Sequence, residues 1–186
     1  MDGGAPHRFT VTDYHRMAEA NVFGIDARVE LIRGTVVDKP KASVPHLWTV
    51  NTLNMLFASL LVGRAIVSVQ NSIRLDDQSE PEPDVVLLAS DADRSKHPGP
   101  AEVLLVIEVS DTTLDYDRAV KVPLYAESGL VEYWIINIPE RLVEVYRNPK
   151  EGAYQDVERV VSGRISLEAL PGIEVDVAQV FAATSS

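Results

Sequence analysis

Two carboxylates and one ammonium group occupy positions in this sequence from which they could act together. Asp84 directly follows Pro83 at the start of an apolar run, and Glu108 follows a second such run, residues 103–107. Lys121 lies thirteen residues beyond Glu108. A pair of carboxylates can hold Mg²⁺, and an ammonium group can position a water molecule and screen the charge of a phosphate transition state. The set is therefore typical of metal-dependent phosphodiester hydrolysis.

Each of these residues also has a purely structural interpretation. Asp84 could bond to the backbone amides of a local turn, and Lys121 could be a solvated charge on a helix. Glu108 could pair with an arginine, but the apolar, β-branched run before it is typical of a strand that is buried on both faces. A buried carboxylate is costly unless a cation meets it. The residues alone leave these alternatives open.

The apolar pattern places the three residues on strands and on a helix. Strands are predicted at "EPDVVLLAS", which contains Asp84, and at "AEVLLVIEVS", which contains Glu108. The segment "TTLDYDRAVKVPLYAESG" predicts a helix on which Asp117, Lys121 and Tyr125 share one face, because they recur every four residues. If this helix packs on the sheet, that face can bring Lys121 beside the two acids. Pro123 predicts a kink or break in it.

The remaining elements complete a mixed architecture. "FTVTDYHRMAEAN" and "SVPHLWTVNTLNMLFASLLVG" predict two helices, and "RVELIRGTVVDKP" predicts a hairpin that turns at Arg33 and Gly34. Further strands are predicted at "AIVSVQNSIRLDD", "VEYWIINI" and "RLVEVYR". The alternation predicts an α/β or α+β fold around a mixed sheet flanked by helices. We expect one domain over residues 1–186, with a core of about 10–182 and short flexible ends.

Composition restricts the possible functions. The formal net charge of −11 argues against a protein that coats nucleic acid through a basic surface, but not against an enzyme that contacts a few phosphates through a cation. The absence of cysteine excludes disulfides, thiolate nucleophiles and cysteine-based zinc sites. Four histidines, His7, His15, His46 and His97, lack the close spacing of a histidine-rich metal site. If a metal is bound, carboxylate ligands, and hence Mg²⁺ or Mn²⁺, are therefore predicted.

No apolar run of eighteen residues and no signal-peptide pattern is present in the chain. A cytoplasmic protein without membrane contact is therefore expected.

Several segments, in series, resemble one protein family. "VELIRGTVV", "PHLWTVN", "VQNSIRLDDQSEPEPD", "LLVIEVS" and "DYDRAVKVPLYAESGLVEYWIIN" are similar, in this order, to the bacterial "putative restriction endonuclease" branch of the PD-(D/E)xK superfamily. The resemblance covers roughly residues 10–182. It implies the restriction-endonuclease-like fold, with a central mixed sheet flanked by helices and extra N-terminal hairpin strands.

The resemblance also implies roles for particular residues. Asp84 and Glu108 would be the metal ligands and, with Lys121, the catalytic residues. In the simplest superfamily pattern a lysine stands two residues after the second acid, where this chain has Ser110. The chain resembles a branch in which the lysine has moved to the next helix, as Lys121. Possible supporting residues, with Ser110 among them, are Glu30, His46, Gln70 and Tyr125.

The leading hypothesis is a Mg²⁺- or Mn²⁺-dependent endonuclease that hydrolyses phosphodiester bonds in DNA, with Lys121 assisting the attacking water. The alternative is a non-catalytic binding or scaffold protein that keeps the nuclease fold, which the net charge favours. A metal-free hydrolase using Asp84 and Glu108 as acid and base is a third possibility. Cutting both strands of a duplex with one site per subunit predicts a homodimer, with "VEYWIINI", "RLVEVYR" or the sheet edges as candidate contacts.

Overall fold

The computed structural model describes residues 4–182 and builds them around a six-stranded sheet. Of the predicted flexible ends, residues 1–3 and 183–186 lie outside this range, whereas Phe9 is described and its N–H donates to the carbonyl of Gly34. The strands, in their spatial order, are β3 (Ala65–Val69), β4 (Val85–Ala89), β5 (Val103–Ser110), β6 (Glu132–Asn137), β7 (Leu142–Lys150) and β8 (Ala153–Val160). The pair β5 and β6 is parallel and the other neighbours are antiparallel. The predicted mixed sheet is confirmed.

Helices and two small hairpins cover the sheet. The helices are α1 (Val11–Glu19), α2 (Val44–Leu60), α3 (Leu114–Tyr116), α4 (Val122–Glu127) and α5 (Val177–Val180). The hairpins are β1 (Val29–Ile32) with β2 (Thr35–Asp38), and β9 (Arg164–Ser166) with β10 (Glu174–Asp176). Within residues 4–182, no helix is long and apolar enough to cross a membrane.

The alternation of side chains along β5 separates two apolar layers. Leu105, Ile107 and Val109 pack in the layer that contains α2 and α5, whereas Val106 packs in the layer that contains α4 and part of β1. Because successive side chains of a strand point to opposite faces, Glu108 lies on the same face as Val106. The strand thus delivers one carboxylate into the layer that carries the helix predicted to hold Lys121.

A π-helical turn, Asp117–Lys121, interrupts the predicted helix between α3 and α4. Within it the N–H of Val122 donates to the carbonyl of Asp117, five residues earlier. Pro123 follows at once, near the start of α4, where its missing N–H costs least. The break that Pro123 predicts is therefore present, and it takes the form of a wider turn just before the proline. Both Asp117 and Lys121 are buried in this turn.

The strands expected to contact a second copy are not free to pair with one. Both β6 and β7 are inner strands with a neighbour on each side, and the outermost strands of the sheet are β3 and β8. A second copy therefore cannot pair with "VEYWIINI" or "RLVEVYR" through the backbone, and their contact with a second copy stays a prediction. The homodimer itself stays a prediction.

Candidate active site

A cavity of about 310 Å³ opens between the β1–β2 hairpin, the start of α2 and the π-helical turn. Asp84, Glu108 and Lys121 all line it, so the structure brings the three predicted residues together. Glu30 and His46 line it as well. Gln70, Ser110 and Tyr125 are not among the lining residues.

Asp84, directly before β4, and Glu108, near the end of β5, are held by hydrogen bonds between the two strands. The N–H of Asp84 donates to Oε2 of Glu108 at 3.2 Å, and the N–H of Val109 donates to Oδ2 of Asp84 at 2.9 Å. This follows from the register, in which Val85 faces Ile107. The two residues are only 6% and 7% exposed. Backbone pairing thus fixes two buried carboxylates side by side.

Lys121 is the cation that contacts Glu108. Its Nζ lies 3.3 Å from Oε1 of Glu108 and donates to Oε2 of Glu30 at 2.6 Å. The hydroxyl of Tyr125 donates to the same Oε1 of Glu108 at 2.9 Å, so this predicted supporting residue contacts Glu108 although it does not line the cavity. Lys121 is 3% exposed. The solvated-lysine interpretation is therefore excluded by its burial.

Ser110 holds a further acid that the sequence reasoning did not name as a site residue. Its hydroxyl donates to Oδ2 of Asp117 at 2.5 Å, and the hydroxyl of Thr113 donates to the same oxygen at 2.8 Å. Asp117 is buried and lines the cavity. Its spacing with Lys121 and Tyr125 was the signal that could have identified it.

His46 and Gln70 contact Asp84 in different ways. His46 lies in the first turn of α2, which Ser43 caps, and its Nε2 is 3.0 Å from Oδ2 of Asp84. Gln70 has a positive φ of 51° directly after β3, and its backbone N–H donates to the carbonyl of Asp84 at 3.0 Å. Gln70 thus reaches Asp84 through its main chain. The structure gives its side chain no place in the cavity wall.

Burial and charge displace the titration of the cluster from ordinary values. Burial raises the pKa of Glu108 to about 7, although Lys121 opposes the shift. Burial would raise the pKa of Asp84 too, but the hydrogen bond and charge of His46 outweigh it and lower that pKa. Burial would lower the pKa of Lys121, but the charges of Glu108 and Glu30 prevail and raise it. Lys121 is therefore an ammonium donor near neutral pH.

Basic as well as acidic side chains line the cavity. Arg28, Lys39 and Lys41 are among its lining residues. Lys39 pairs with Glu82 at 2.9 Å, and Arg28 lies 3.8 Å from the same carboxylate. Asp38 and Asp111 line the cavity as well, so its lining carries both signs of charge.

The donor set fits a hard divalent cation. Among the described residues, no hydrogen bond reaches Oδ1 of Asp84, whose side chain lines the cavity next to Glu108. Mg²⁺ is commonly held by one or two carboxylates together with water and substrate phosphate, and this pair supplies that number. Elsewhere in residues 4–182, three side chains of metal-ligating type, His15, Glu80 and His97, each have a nitrogen or carboxylate oxygen within 4.8 Å of those of the other two.

Comparisons with known proteins identify the family and a similar fold. A family model described as "Putative restriction endonuclease" matches residues 11–178. The crystal structure of a "putative nuclease" from Anabaena variabilis superposes with a TM-score of 0.71 at 15% sequence identity, covering 94% of this chain and 98% of the other. That similarity shows a shared nuclease-like fold. No curated protein matches the chain.

Proposed function

This chain belongs to the family described as "Putative restriction endonuclease", and from that premise we propose that it is a divalent-metal-dependent endonuclease acting on phosphodiester bonds of DNA. The observation that carries the proposal is the buried contact set of Asp84, Glu108 and Lys121 in the wall of one cavity. We infer a single domain over the whole chain, since the family match spans nearly all of it.

In this mechanism Asp84 and Glu108 would hold Mg²⁺ or Mn²⁺. The bound ion would supply a Lewis acid for a phosphate oxygen and would lower the pKa of a coordinated water. The backbone hydrogen bonds between the two strand ends keep the carboxylates in place, and His46 orients Asp84. These contacts reduce the reorganisation that the site needs before reaction.

Lys121 would donate hydrogen bonds to the attacking water or to a phosphate oxygen. Its raised pKa favours this positioning role over removal of a proton from water. Glu30 would keep Lys121 directed toward Glu108, and Tyr125 would orient the carboxylate of Glu108. Ser110 would act through Asp117, whose carboxylate it holds in the cavity wall.

A substrate panel tests the proposal. Purified protein is incubated with supercoiled plasmid, linear duplex, single-stranded DNA and RNA, each with Mg²⁺, with Mn²⁺ or with chelator. We expect metal-dependent cleavage of at least one DNA substrate and none with chelator. Cleavage that survives chelation would support a metal-free hydrolase. DNA binding without cleavage of any substrate would support the scaffold function.

Metal binding should release a proton in mildly acidic solution. Burial raises the pKa of Glu108 to about 7, and a carboxylate must lose its proton to ligate a metal. Apparent Mn²⁺ affinity should therefore rise up to about tenfold per pH unit between about pH 5 and 7, then level off. Calorimetric titration at about pH 6, in two buffers of different ionisation enthalpy, should give different heats.

The control for this experiment is the same pair of buffers at about pH 8, where Glu108 is ionised and the heats should agree. Equal heats at the lower pH would contradict a proton on the site carboxylates.

The raised pKa of Glu108 also has a consequence for stability in the absence of metal. Because the pKa of Glu108 is raised on folding, its contribution to stability is present below its ordinary pKa and is lost as pH rises through about 7.

A further inference from the structure

His15 of α1, the buried Glu80 and the exposed His97 come together outside the cavity described above. One ligand atom from each lies within 4.8 Å of the other two. Nε2 of His15 is 2.7 Å from Oε1 of Glu80, and the ring centroids of His15 and His97 are 6.0 Å apart. We propose that these residues form a second metal site, for a divalent transition-metal ion of the Zn²⁺ class.

Glu80 provides an observation that its pairing with His15 does not explain. It is 2% exposed, and its Oε2 is buried with no hydrogen-bond partner within the described part of the chain. A buried carboxylate oxygen without a partner is unfavourable and calls for a specific reason. Its main chain is fixed by hydrogen bonds in both directions with Leu31, so Glu80 cannot turn outward easily. A bound cation would neutralise this carboxylate.

The donor types select the class of metal. Two imidazole nitrogens and one carboxylate oxygen are a three-ligand set typical of zinc sites that keep one position for water. Mg²⁺ and Ca²⁺ prefer oxygen ligands throughout, which distinguishes this site from the pair of Asp84 and Glu108. Zn–N and Zn–O bonds of roughly 2.0–2.2 Å place tetrahedral ligand atoms about 3.4 Å apart. Nε2 of His15 and Oε1 of Glu80, at 2.7 Å, would have to move slightly apart, and no ligand atom is more than 4.8 Å from another, so small side-chain movements suffice.

The side chains of His97 and His15 can make those movements because both are at least partly exposed, while the main chain near each of them is held in place. His97 is exposed and its loop is anchored at the next residue, where the N–H of Arg74 donates to the carbonyl of Pro98. His15 is half-exposed on α1, whose start is fixed by the capping box of Thr10 and Asp13. A metal ion here would connect α1, the segment before β4 and the loop before β5. Its binding would therefore stabilise the folded chain by mass action.

Titration of Zn²⁺ and of Co²⁺ into the full chain tests this site, with calorimetry, cobalt visible absorption and the melting temperature as readouts. We expect one equivalent of Zn²⁺ to bind to an Asp84→Asn/Glu108→Gln variant, whose cavity carboxylates are removed, and to raise its melting temperature. Adding His97→Ala to that background should weaken binding by roughly tenfold or more, because a ligand is lost. Since His97 is exposed, this change should leave the fold intact, as circular dichroism would verify.

His7→Ala is the matched control, because His7 is an exposed histidine near α1 that contacts Phe9 instead of Glu80. It should bind Zn²⁺ like its parent. Three results would overturn the second site: no Zn²⁺ binding to wild type, equal loss in the His7 and His97 variants, or binding that disappears with the cavity carboxylates alone. Each of these is independent of whether the protein cleaves DNA.

Discussion

Asp84→Asn should reduce metal-dependent DNA cleavage by roughly a thousandfold or more. The change keeps the size of the side chain and its ability to accept the hydrogen bond from Val109. It removes the charge that would hold a divalent ion and that pairs with His46. Cleavage rates at saturating Mn²⁺, together with calorimetric Mn²⁺ titration, measure both consequences. Wild type should bind with a Kd near millimolar or tighter, about −4 kcal/mol or better.

Asp156→Asn is the matched control for this variant. Asp156 is an exposed aspartate on the outer strand β8, and the same substitution there should leave cleavage unchanged. If Asp84→Asn cleaved DNA as wild type does, the assignment of Asp84 would be wrong. If it lost cleavage but still bound Mn²⁺ normally, Asp84 would act on substrate orientation and the metal would lie elsewhere.

The sequence located the acids because local patterns determine where strands end. Asp84 follows a proline and precedes a fully apolar run, and Glu108 follows another, so the register of β4 and β5 brings them together. Four-residue spacing likewise predicted that Lys121 and Tyr125 share a face, and both contact Glu108. Local pattern sufficed wherever the partners lie on elements that pair or follow one another.

Local sequence patterns could not predict contacts between residues that are far apart in the sequence. His15 and His97 share no local spacing, yet α1 and the loop before β5 bring their rings within 6.0 Å. Histidine spacing in the sequence therefore could not predict this cluster. The side chain of Gln70 was expected near the site, but a left-handed backbone conformation at that residue leaves only its N–H in contact with Asp84. Residue periodicity predicts neither the backbone conformation of a turn nor a contact between elements that are far apart in the sequence.

Lys121→Met should destabilise the protein by about 3–5 kcal/mol near neutral pH, besides abolishing cleavage. Methionine approximates the length of the lysine side chain but leaves Glu30 and Glu108 buried without their shared cation. Removing one member of a buried ionic cluster costs far more than replacing the cluster as a whole. Denaturant unfolding of wild type and variant at constant slope measures the difference.

The decisive comparison is with Lys121→Met combined with Glu30→Gln and Glu108→Gln. That triple variant removes both carboxylates that contact Lys121, so it should recover much of the lost stability and still fail to cleave DNA. The single variant should also depend on pH in a defined direction. Without Lys121 the pKa of Glu108 rises further, so protonation relieves the buried charge and the deficit should shrink at about pH 5. An equal deficit at both pH values, or one below about 1 kcal/mol, would mean that water solvates these carboxylates. The expected result would instead show that the same buried ammonium group stabilises the fold and equips the cavity to act on phosphate.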